Sequence, residues 1–479
     1  MQAKERSLLL EIRLCMNNEK SMRRAAIVIT VASGMLIPFM GSAVNIVLPL
    51  MGKEFTLNTV QMGWVLTAFL LTSAVFLLPF GRLSDIIGRK KMFVTGITTY
   101  SIVTTLIVVL PGSAVMLITL RALQGLAASM IFVTGVTILI SIFPPSERGK
   151  VLGINTACVY LGLSLGPSLG GALAHYFSWR SVFIVTAAMG FFLMFYVPLK
   201  LKSEWADAKG EGFDIKGAFF YVLSLSAIFV GFSRIPKTSA FILMPAGLIS
   251  LVLFIMYENK KPFPILKLDI FRKNKAFTMA TTSALINYSA TFGVAFLMSL
   301  YLQNIKGFTS LHAGEIMLIQ PILQTICSLF SGRAADKKDP QTIASIGMAI
   351  TALGLIMLTL VQEDTSLPYI VTALGVLGTG FGIFSSPNTT AAMNSAEKKY
   401  FGVASSLLST MRLVGQIISM GIAMIVFTLI TKETAVTAEN SGLFLHSMRV
   451  ILIISAALCF IGVFLKARKK PNRGQSLFS

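Results

Sequence analysis

The sequence predicts an all-α protein that crosses a membrane fourteen times, and three features of the chain lead to that prediction. Hydrophobic residues make up 54% of the chain and charged residues 13%, which leaves no polar stretch long enough for a sizeable soluble domain. Apolar runs long enough to cross a bilayer as helices recur from one end to the other. A turn containing Gly and Asp follows the second run and again the tenth, which indicates a duplicated helical bundle.

The order of apolar and polar segments defines the individual spans. The chain opens with a tail of mixed charge in which we expect no cleavable signal peptide, because no short apolar core there is followed by a small-residue cleavage site. Polar links at residues 200–216 and 258–275 separate one pair of spans from the rest. The expected spans are 25–51, 62–80, 92–110, 114–142, 151–174, 181–199, 217–233, 239–257, 276–302, 312–331, 341–361, 367–387, 402–430 and 447–465.

The positions of the cations predict how the chain lies in the membrane. A formal net charge of +21 would suit nucleic-acid binding, but the Lys and Arg residues gather in the tails and in short loops on one side of the apolar runs. By the positive-inside rule, this bias predicts a cell-membrane protein with both termini in the cytoplasm and no nucleic-acid partner. The opposite loops hold only Lys53, Arg180, Arg234, Lys237, Lys306 and Lys432.

Two six-helix halves account for twelve of the spans, so that the seventh and eighth become an insertion between the halves. We therefore expect five parts along the chain. These are a cytoplasmic tail at 1–24, an N-terminal bundle at 25–199, a linker with two additional helices at 200–275, a C-terminal bundle at 276–465 and a basic cytoplasmic tail at 466–479.

The turn between the second and third spans carries the most informative charged motif. Gly81 and Gly88 lack a Cβ, so two helix ends can approach closely there. Asp85 between them is suited to lie against a neighbouring cation or a helix N-terminus. After the tenth span, Gly332 and Asp336 repeat the spacing of the first glycine and the aspartate.

The first of these turns resembles the loop signature G-x-L-x-D-x-x-G-R-K of the major facilitator superfamily of secondary transporters, which implies the major facilitator fold. A basic loop that merely obeys the positive-inside rule would explain the cations but not two glycines together with an acid. Ile86 departs from the signature, which often has Arg at that position. The resemblance implies a conformational latch made by Gly81, Asp85, Gly88, Arg89 and Lys90.

The fourth span carries an arginine in its apolar interior. Arg121 and Gln124 lie three residues apart and share a helix face, and a buried Arg costs at least ~2.5 kcal/mol unless it meets a partner or water. We expect Arg121 to face a central cavity; the alternative is an Arg paired with backbone carbonyls for structural reasons. The stretch resembles the second motif of the superfamily, which implies a role for this Arg in proton transfer.

The fifth span contains glycines four residues apart around a proline. Such a stripe allows two helices to approach closely, and the proline removes a backbone donor, so the helix can kink. Small residues at this spacing are common in membrane helices, but the complete pattern G-x-x-x-G-P-x-x-G-G is not. It resembles the antiporter motif of drug exporters in this superfamily and favours export over import. Its residues are Gly162, Gly166, Pro167, Gly170 and Gly171.

The second half of the chain resembles the fourteen-helix drug:proton antiporter family less tightly but in the same order. Interfacial anchoring or helix packing would explain most of the matching residues one by one, and their order is what indicates the family. From this we expect a monomer that exchanges protons and uses no cofactor. The matching residues are Asp214, Gly217, Tyr301, Leu302, Gln303, Ala313, Gly314, Pro321, Gly378, Gly380, Gly382, Pro387, Asn388, Gly402, Arg412 and Gly415.

The first span departs from that family at a position where many members carry an acid. The pattern L-D-x-T-x-V-N-x-x-L-P aligns with Phe39–Pro49, where Asn45 matches but Met40 replaces the acid. Elsewhere in the spans the one carboxylate that stands out is Glu315, near the start of the tenth. Desolvation there would favour its protonated form and suit it to carry a proton; alternatively it is an exposed acid favoured by the helix dipole.

The deep charges of the chain guide the choice of substrate. Arg121 and Arg412 are basic and no firm counter-acid accompanies them, so the pathway is expected to favour neutral or anionic amphiphiles. Arg412 either contacts the substrate or gates the pathway, or it is a hydrogen-bond donor in helix packing. Asn45 and Gln124 are further candidates for the lining of the cavity.

Together these features predict a secondary active transporter that exports small amphipathic compounds across the lipid bilayer by alternating access, with proton antiport implied by the resemblance. The alternatives are a dedicated exporter of one metabolite and a non-transporting membrane sensor with the same fold. An enzyme is disfavoured, because no Ser, His, Cys or carboxylate constellation gathers at one depth and no Walker loop indicates ATP hydrolysis. The scattered Cys and His residues predict no metal site.

Overall fold

A computed structural model of the chain describes residues 2–110, 112–259, 261, 274–335, 337–395, 401–431 and 440–467. Within these ranges every regular element is a helix, and fourteen helical segments are long and apolar enough to cross a membrane. The predicted all-α fold with fourteen transmembrane helices is therefore confirmed. Asp336 lies outside the described residues.

We number the membrane-crossing segments in chain order and call the face where the chain begins and ends the terminal face, and the other the distal face. An even number of crossings brings both ends to the same face. The bounds are α1 (Gln2–Glu54), α2 (Thr59–Ile87), α3 (Arg89–Val109), α4 (Ala114–Ile142), α5 (Pro145–Tyr176), α6 (Arg180–Lys200), α7 (Ile215–Phe232), α8 (Thr238–Glu258), α9 (Lys275–Ile305), α10 (Ser310–Ala335), α11 (Pro340–Thr359), α12 (Leu367–Ser395), α13 (Phe401–Ile430) and α14 (Ser441–Ala467).

Three of the helices differ from the expected spans. Helix α1 has 53 residues, or about 80 Å of helix, and its part Met22–Glu54 is long and apolar enough to cross the membrane. The last turn of α9, Tyr301–Ile305, is a π-helix. Helix α10 is interrupted at Leu318, because Pro321 has no backbone N–H to donate to the carbonyl of Met317.

Polar residues in the short connections start the helices. Asn58 and Gln61 form a reciprocal capping box at the start of α2, in which each side chain accepts a backbone N–H of the other residue. Further side-chain caps satisfy the first N–H groups of α4, α7, α9, α10 and α11. These capping residues are Ser113, Asp214, Asn274, Thr309 and Asp339.

The two halves of the molecule repeat the same helix pairs. In the first half α1 packs on α5, α2 on α4 and α3 on α6; in the second half α9 packs on α13, α10 on α12 and α11 on α14. Each pair in the second half corresponds to a pair in the first half whose helix numbers are lower by eight. Helices α7 and α8 pack on each other, and α7 also contacts α2 and α13, where the two halves meet. The fold is therefore two six-helix bundles with one inserted helix pair beside their seam.

Candidate functional site

The turn between α2 and α3 gathers three polar side chains on one guanidinium. Asp85 lies in the last turn of α2 and Arg89 is the first residue of α3, so Gly88 alone separates the two helices. Arg89 donates from Nη2 to Asp85 Oδ1 at 2.9 Å and to Asp207 Oδ2 at 2.6 Å. Its Nη1 donates to Ser141 Oγ at 2.7 Å. The turn is thereby joined both to the end of α4 and to the chain that follows α6.

That following chain, residues 201–214, folds back over the turn as a clasp. Glu204 accepts the backbone N–H groups of Lys90 at 2.8 Å and Lys91 at 3.2 Å, which caps the N-terminus of α3. Glu211 forms an ion pair with Arg82, whose guanidinium it also meets through a hydrogen bond. We did not predict this clasp from the sequence. The available signal was the concentration of acidic residues in a link that we assigned only as polar.

Gly88 is required by the geometry of this contact. Its φ of +116° lies in a region that side chains with a Cβ disfavour. A Cβ at this position would also collide with the carboxylate of Glu204. Glycine therefore permits both the sharp turn and the approach of the clasp.

Arg121 lies inside the first bundle. Its side chain is 1% exposed, its Nε donates to the carbonyl of Val65 at 3.1 Å, and its Nη1 donates to Gln124 Oε1. Gln124 in turn donates to Thr104 Oγ1 at 2.8 Å, and the guanidinium lies 4.5 Å from the centre of the Phe69 ring. In this conformation Arg121 does not line open space, contrary to expectation, because neighbouring helices supply its partners and enclose it.

The glycine stripe of α5 faces α1 along its length. A Cβ at Gly162 would lie 2.5 Å from Met35 O, one at Gly166 2.5 Å from Ser42 Cβ, and one at Gly170 2.8 Å from Ala43 Cβ. None of these separations is possible for a real side chain, so the absence of a Cβ sets the distance between the two helices.

The end of the stripe closes the seam between the two halves at the distal face. Ser310 at the start of α10 donates to the carbonyl of Gly171 at 3.2 Å. A Cβ at Gly314 would collide with the carbonyl of Pro167. On the other side of the seam, Gln303 Nε2 donates to the carbonyl of Ile46 at 2.8 Å, which joins α9 to α1.

The remaining candidates lie in different environments. Asn45 is buried and its Nδ2 donates to Gly41 O at 3.0 Å, while its Oδ1 has no hydrogen-bond partner. Glu315 is exposed and lies six residues into α10. Met40, at the position of the family acid, is fully buried. Arg412 is half-buried in α13 and donates from Nη2 to Thr389 Oγ1 at 2.5 Å.

Comparisons with known proteins agree with this architecture. Riboflavin transporter RibZ of Clostridioides difficile (strain 630) is 26% identical over 89% of this chain and 92% of its own length. Multidrug resistance protein Stp of Mycobacterium tuberculosis (strain CDC 1551 / Oshkosh) is 26% identical over 84% of this chain and 76% of its own. Drug efflux pump JefA of the same strain is also 26% identical, over 82% of this chain and 78% of its own.

A solved structure shows the same fold, and a family model identifies the family. A bacterial homologue of the human lysosomal transporter Spinster, in an inward-facing and unoccupied conformation, aligns with a TM-score of 0.67 at 15% identity. The alignment covers 94% of this chain and 99% of that one. The model of the Major Facilitator Superfamily matches residues 30–420. The chain belongs to the Major Facilitator Superfamily, a family of membrane transporters rather than enzymes.

Proposed function

We propose that this protein exports small amphipathic compounds by alternating access and exchanges them for protons. The observation that supports this most directly is the seam of the two repeated bundles, where Pro167 and Gly171 at the end of the α5 stripe contact the start of α10 at the distal face. Two bundles of the same architecture that meet along one seam suit two bodies that rock about a central site. The names of Stp and JefA add support for drug efflux.

In this proposal the terminal face is cytoplasmic and the protein works as a monomer in the plasma membrane. The excess of cations on that face supports the orientation. Asp85 and Arg89 latch one conformation, because their ion pair fixes the end of α2, which packs on α13 of the other half. Arg121 and Gln124 belong to the coupling pathway, and Glu315 remains a candidate proton carrier.

The test is efflux of neutral, anionic and cationic amphiphiles from cells that express the chain, with and without a protonophore. Protonophore-sensitive export of several compounds is expected. Asp85→Ala is expected to abolish that export while the protein stays in the membrane. Unchanged efflux by this variant would remove Asp85 from the mechanism, and export that ignores the protonophore would refute proton exchange.

A dedicated exporter of one metabolite is the second candidate, and the name of RibZ supports it. It differs from drug efflux in its narrow substrate range. Export of one compound from the whole panel would favour it. Binding of a compound without net flux across the membrane would instead favour a sensor with the same fold.

A further inference from the structure

Arg412 in α13 is a half-buried cation. In the part of the chain that the structure describes, no carboxylate forms an ion pair with it. Its Nη2 donates to Thr389 Oγ1, and its Nε has no hydrogen-bond partner. A partly desolvated guanidinium with unused donors is suited to receive an anion.

One tyrosine lies beside the Arg412 guanidinium, and a second is linked to it through α12. The guanidinium carbon of Arg412 lies 5.7 Å from the centre of the Tyr288 ring, and Tyr288 meets Phe381 edge-to-face at 5.2 Å. Tyr160 of α5 accepts a hydrogen bond from Ser328 Oγ at 3.1 Å and donates one to Ser385 Oγ at 3.4 Å. Thr389, which Arg412 contacts, donates from Oγ1 to the carbonyl of Ser385, so one turn of α12 links the Arg412–Tyr288 pair to the Tyr160 hydroxyl.

This cluster spans the seam between the halves. Tyr160 belongs to the first bundle, and Ser328, Ser385 and Arg412 belong to the second. Tyr160, Tyr288 and Arg412 are each half-buried, so they border accessible space. Ser385 lies ten residues before the end of α12, about 15 Å of helix from the terminal face, whereas the closed part of the seam lies nearer the distal face.

From this arrangement we propose that Arg412, Tyr288 and Tyr160 form a subsite for the acidic group of a planar aromatic substrate. The planar fork of Arg pairs with a carboxylate through two parallel hydrogen bonds, which a compact ammonium group cannot reproduce. The tyrosine and phenylalanine rings pack against the flat apolar part of the same molecule. The subsite deepens the proposed function by naming the substrate class of the central site, and it rests on that function.

The subsite also links binding to the movement of the halves. Tyr160 bridges to Ser328 and Ser385 across the seam, and an aromatic acid between them replaces those hydrogen bonds with its own. A ligand that contacts both halves binds the two conformations with different affinity, which is the requirement for shifting their populations.

The test measures binding to purified protein in lipid nanodiscs with a matched pair of probes, naphthoate and naphthamide. The two share one ring system and differ in charge. Naphthoate is expected to bind at least about tenfold more tightly, since a hydrogen bond to a charged group contributes roughly one to two powers of ten in affinity. Equal affinity of the two probes, or no measurable binding of either, would overturn the proposal.

Variants of Arg412 test whether its charge, rather than another charge in the chain, causes the preference for naphthoate. Arg412→Gln is expected to remove the preference for naphthoate and to retain binding of naphthamide, which also reports that the variant is folded. Arg412→Lys is expected to retain part of the preference, and Tyr160→Phe to weaken the binding of both probes a few-fold. The matched control is Arg449→Gln, at an exposed position of α14 whose Arg donates from Nε to the Thr359 carbonyl at 3.2 Å.

The control variant is expected to keep the full preference. Loss of the preference in the Arg449 variant, or its survival in Arg412→Gln, would overturn the subsite. Because binding needs no gradient, a preference for naphthoate without any export from cells would refute the exporter function and leave the subsite standing. Export of cationic compounds alone, with no preference in binding, would refute the subsite and leave export standing.

Discussion

At the scale of single residues, glycines hold the positions where this molecule tolerates no Cβ. Gly88 combines a φ of +116° with a direct approach to Glu204. Gly210, in the same clasp, has a φ of +92° but no atom within 4 Å of an added Cβ. The two residues therefore share the backbone requirement and differ only in the contact.

This difference gives a matched test at the first turn. Gly88→Ala is expected to reduce efflux severalfold, because it adds a clash with the clasp to a backbone strain of roughly 1–3 kcal/mol. Gly210→Ala carries the strain alone and is expected to transport near the normal rate. The measurement is the efflux rate divided by the amount of protein in the membrane. Equal losses in the two variants would mean that strain, and not contact with Glu204, accounts for the effect.

The sequence predicted residue types better than it predicted their surroundings. The shared helix face of Arg121 and Gln124 follows from their spacing of three, and in the structure the two side chains form a direct hydrogen bond. The spacing did not predict that the two side chains would be buried, because their burial depends on Val65, Thr104 and Phe69 from two other helices. Contacts that arise only when distant segments meet leave no periodic signal in a single chain.

At the scale of elements, hydropathy located the helices but not the irregularities within them. A bilayer requires long apolar runs whose backbone groups are all hydrogen-bonded. The fourteen crossings can therefore be read from the order of apolar and polar residues along the chain. The break at Leu318 lies in an apolar stretch, and the π-helical turn at Tyr301–Ile305 contains Gln303 and Asn304 at a helix end, where polar residues are expected in any case. Neither irregularity therefore has a hydropathy signal of its own. Pro321 was the available signal for the break.

The clasp is the element that connects α6 to α7, and its strongest contacts cap a helix. The ion pair of Arg89 with Asp207 is a weak basis for stability, because the Asp207 side chain is 72% exposed and water screens the attraction. The two backbone N–H groups that Glu204 accepts have no intrahelical partner, since they lie in the first turn of α3. Removal of Glu204 should therefore matter more than removal of Asp207.

Hydrogen exchange can measure this cap directly. Glu204→Ala is expected to accelerate exchange at the amides of Lys90 and Lys91 by roughly fivefold, because each loses a hydrogen bond that contributes about 1 kcal/mol. Glu147→Ala is the control, since Glu147 lies at the same face and pairs with Arg23 rather than with this turn. Unchanged exchange in the Glu204 variant would show that the clasp does not cap α3 in the membrane.

At the scale of the whole molecule, the duplicated pairing of helices makes rocking of two bodies the natural motion. The repeat was predictable from the second Gly-Asp turn, whereas the state of the seam was not. Its closure at the distal face depends on backbone carbonyls at Gly171 and Ile46, which every residue type carries. Sequence patterns carry information about side chains only. Contacts to backbone carbonyl groups at the seam therefore cannot be predicted from them.

Gln303 tests whether this seam sets the balance between conformations. Its side chain donates to Ile46 O in the other half and to Ser299 Oγ in its own, and it lies in the π-helical turn, a feature often found at functional sites. Gln303→Leu removes the cross-seam bond while filling a similar volume. A loss of about 1 kcal/mol would raise the population of the state open at the distal face roughly fivefold.

The population can be read from distances between spin labels at Lys53→Cys and Asp364→Cys, in a background whose four native cysteines are changed to Ser. Both sites are exposed at the distal face, one in each half of the molecule. Gln303→Leu is expected to add a longer-distance component, and Gln341→Leu, at the start of α11 on the terminal face, is expected to leave the distribution unchanged. If the two variants gave the same distribution, the contact between Gln303 and Ile46 would be an incidental feature of packing. A longer component in the Gln303 variant alone would mean that one side chain at the end of α9 holds the two bundles together on the face where a transported molecule must leave or enter.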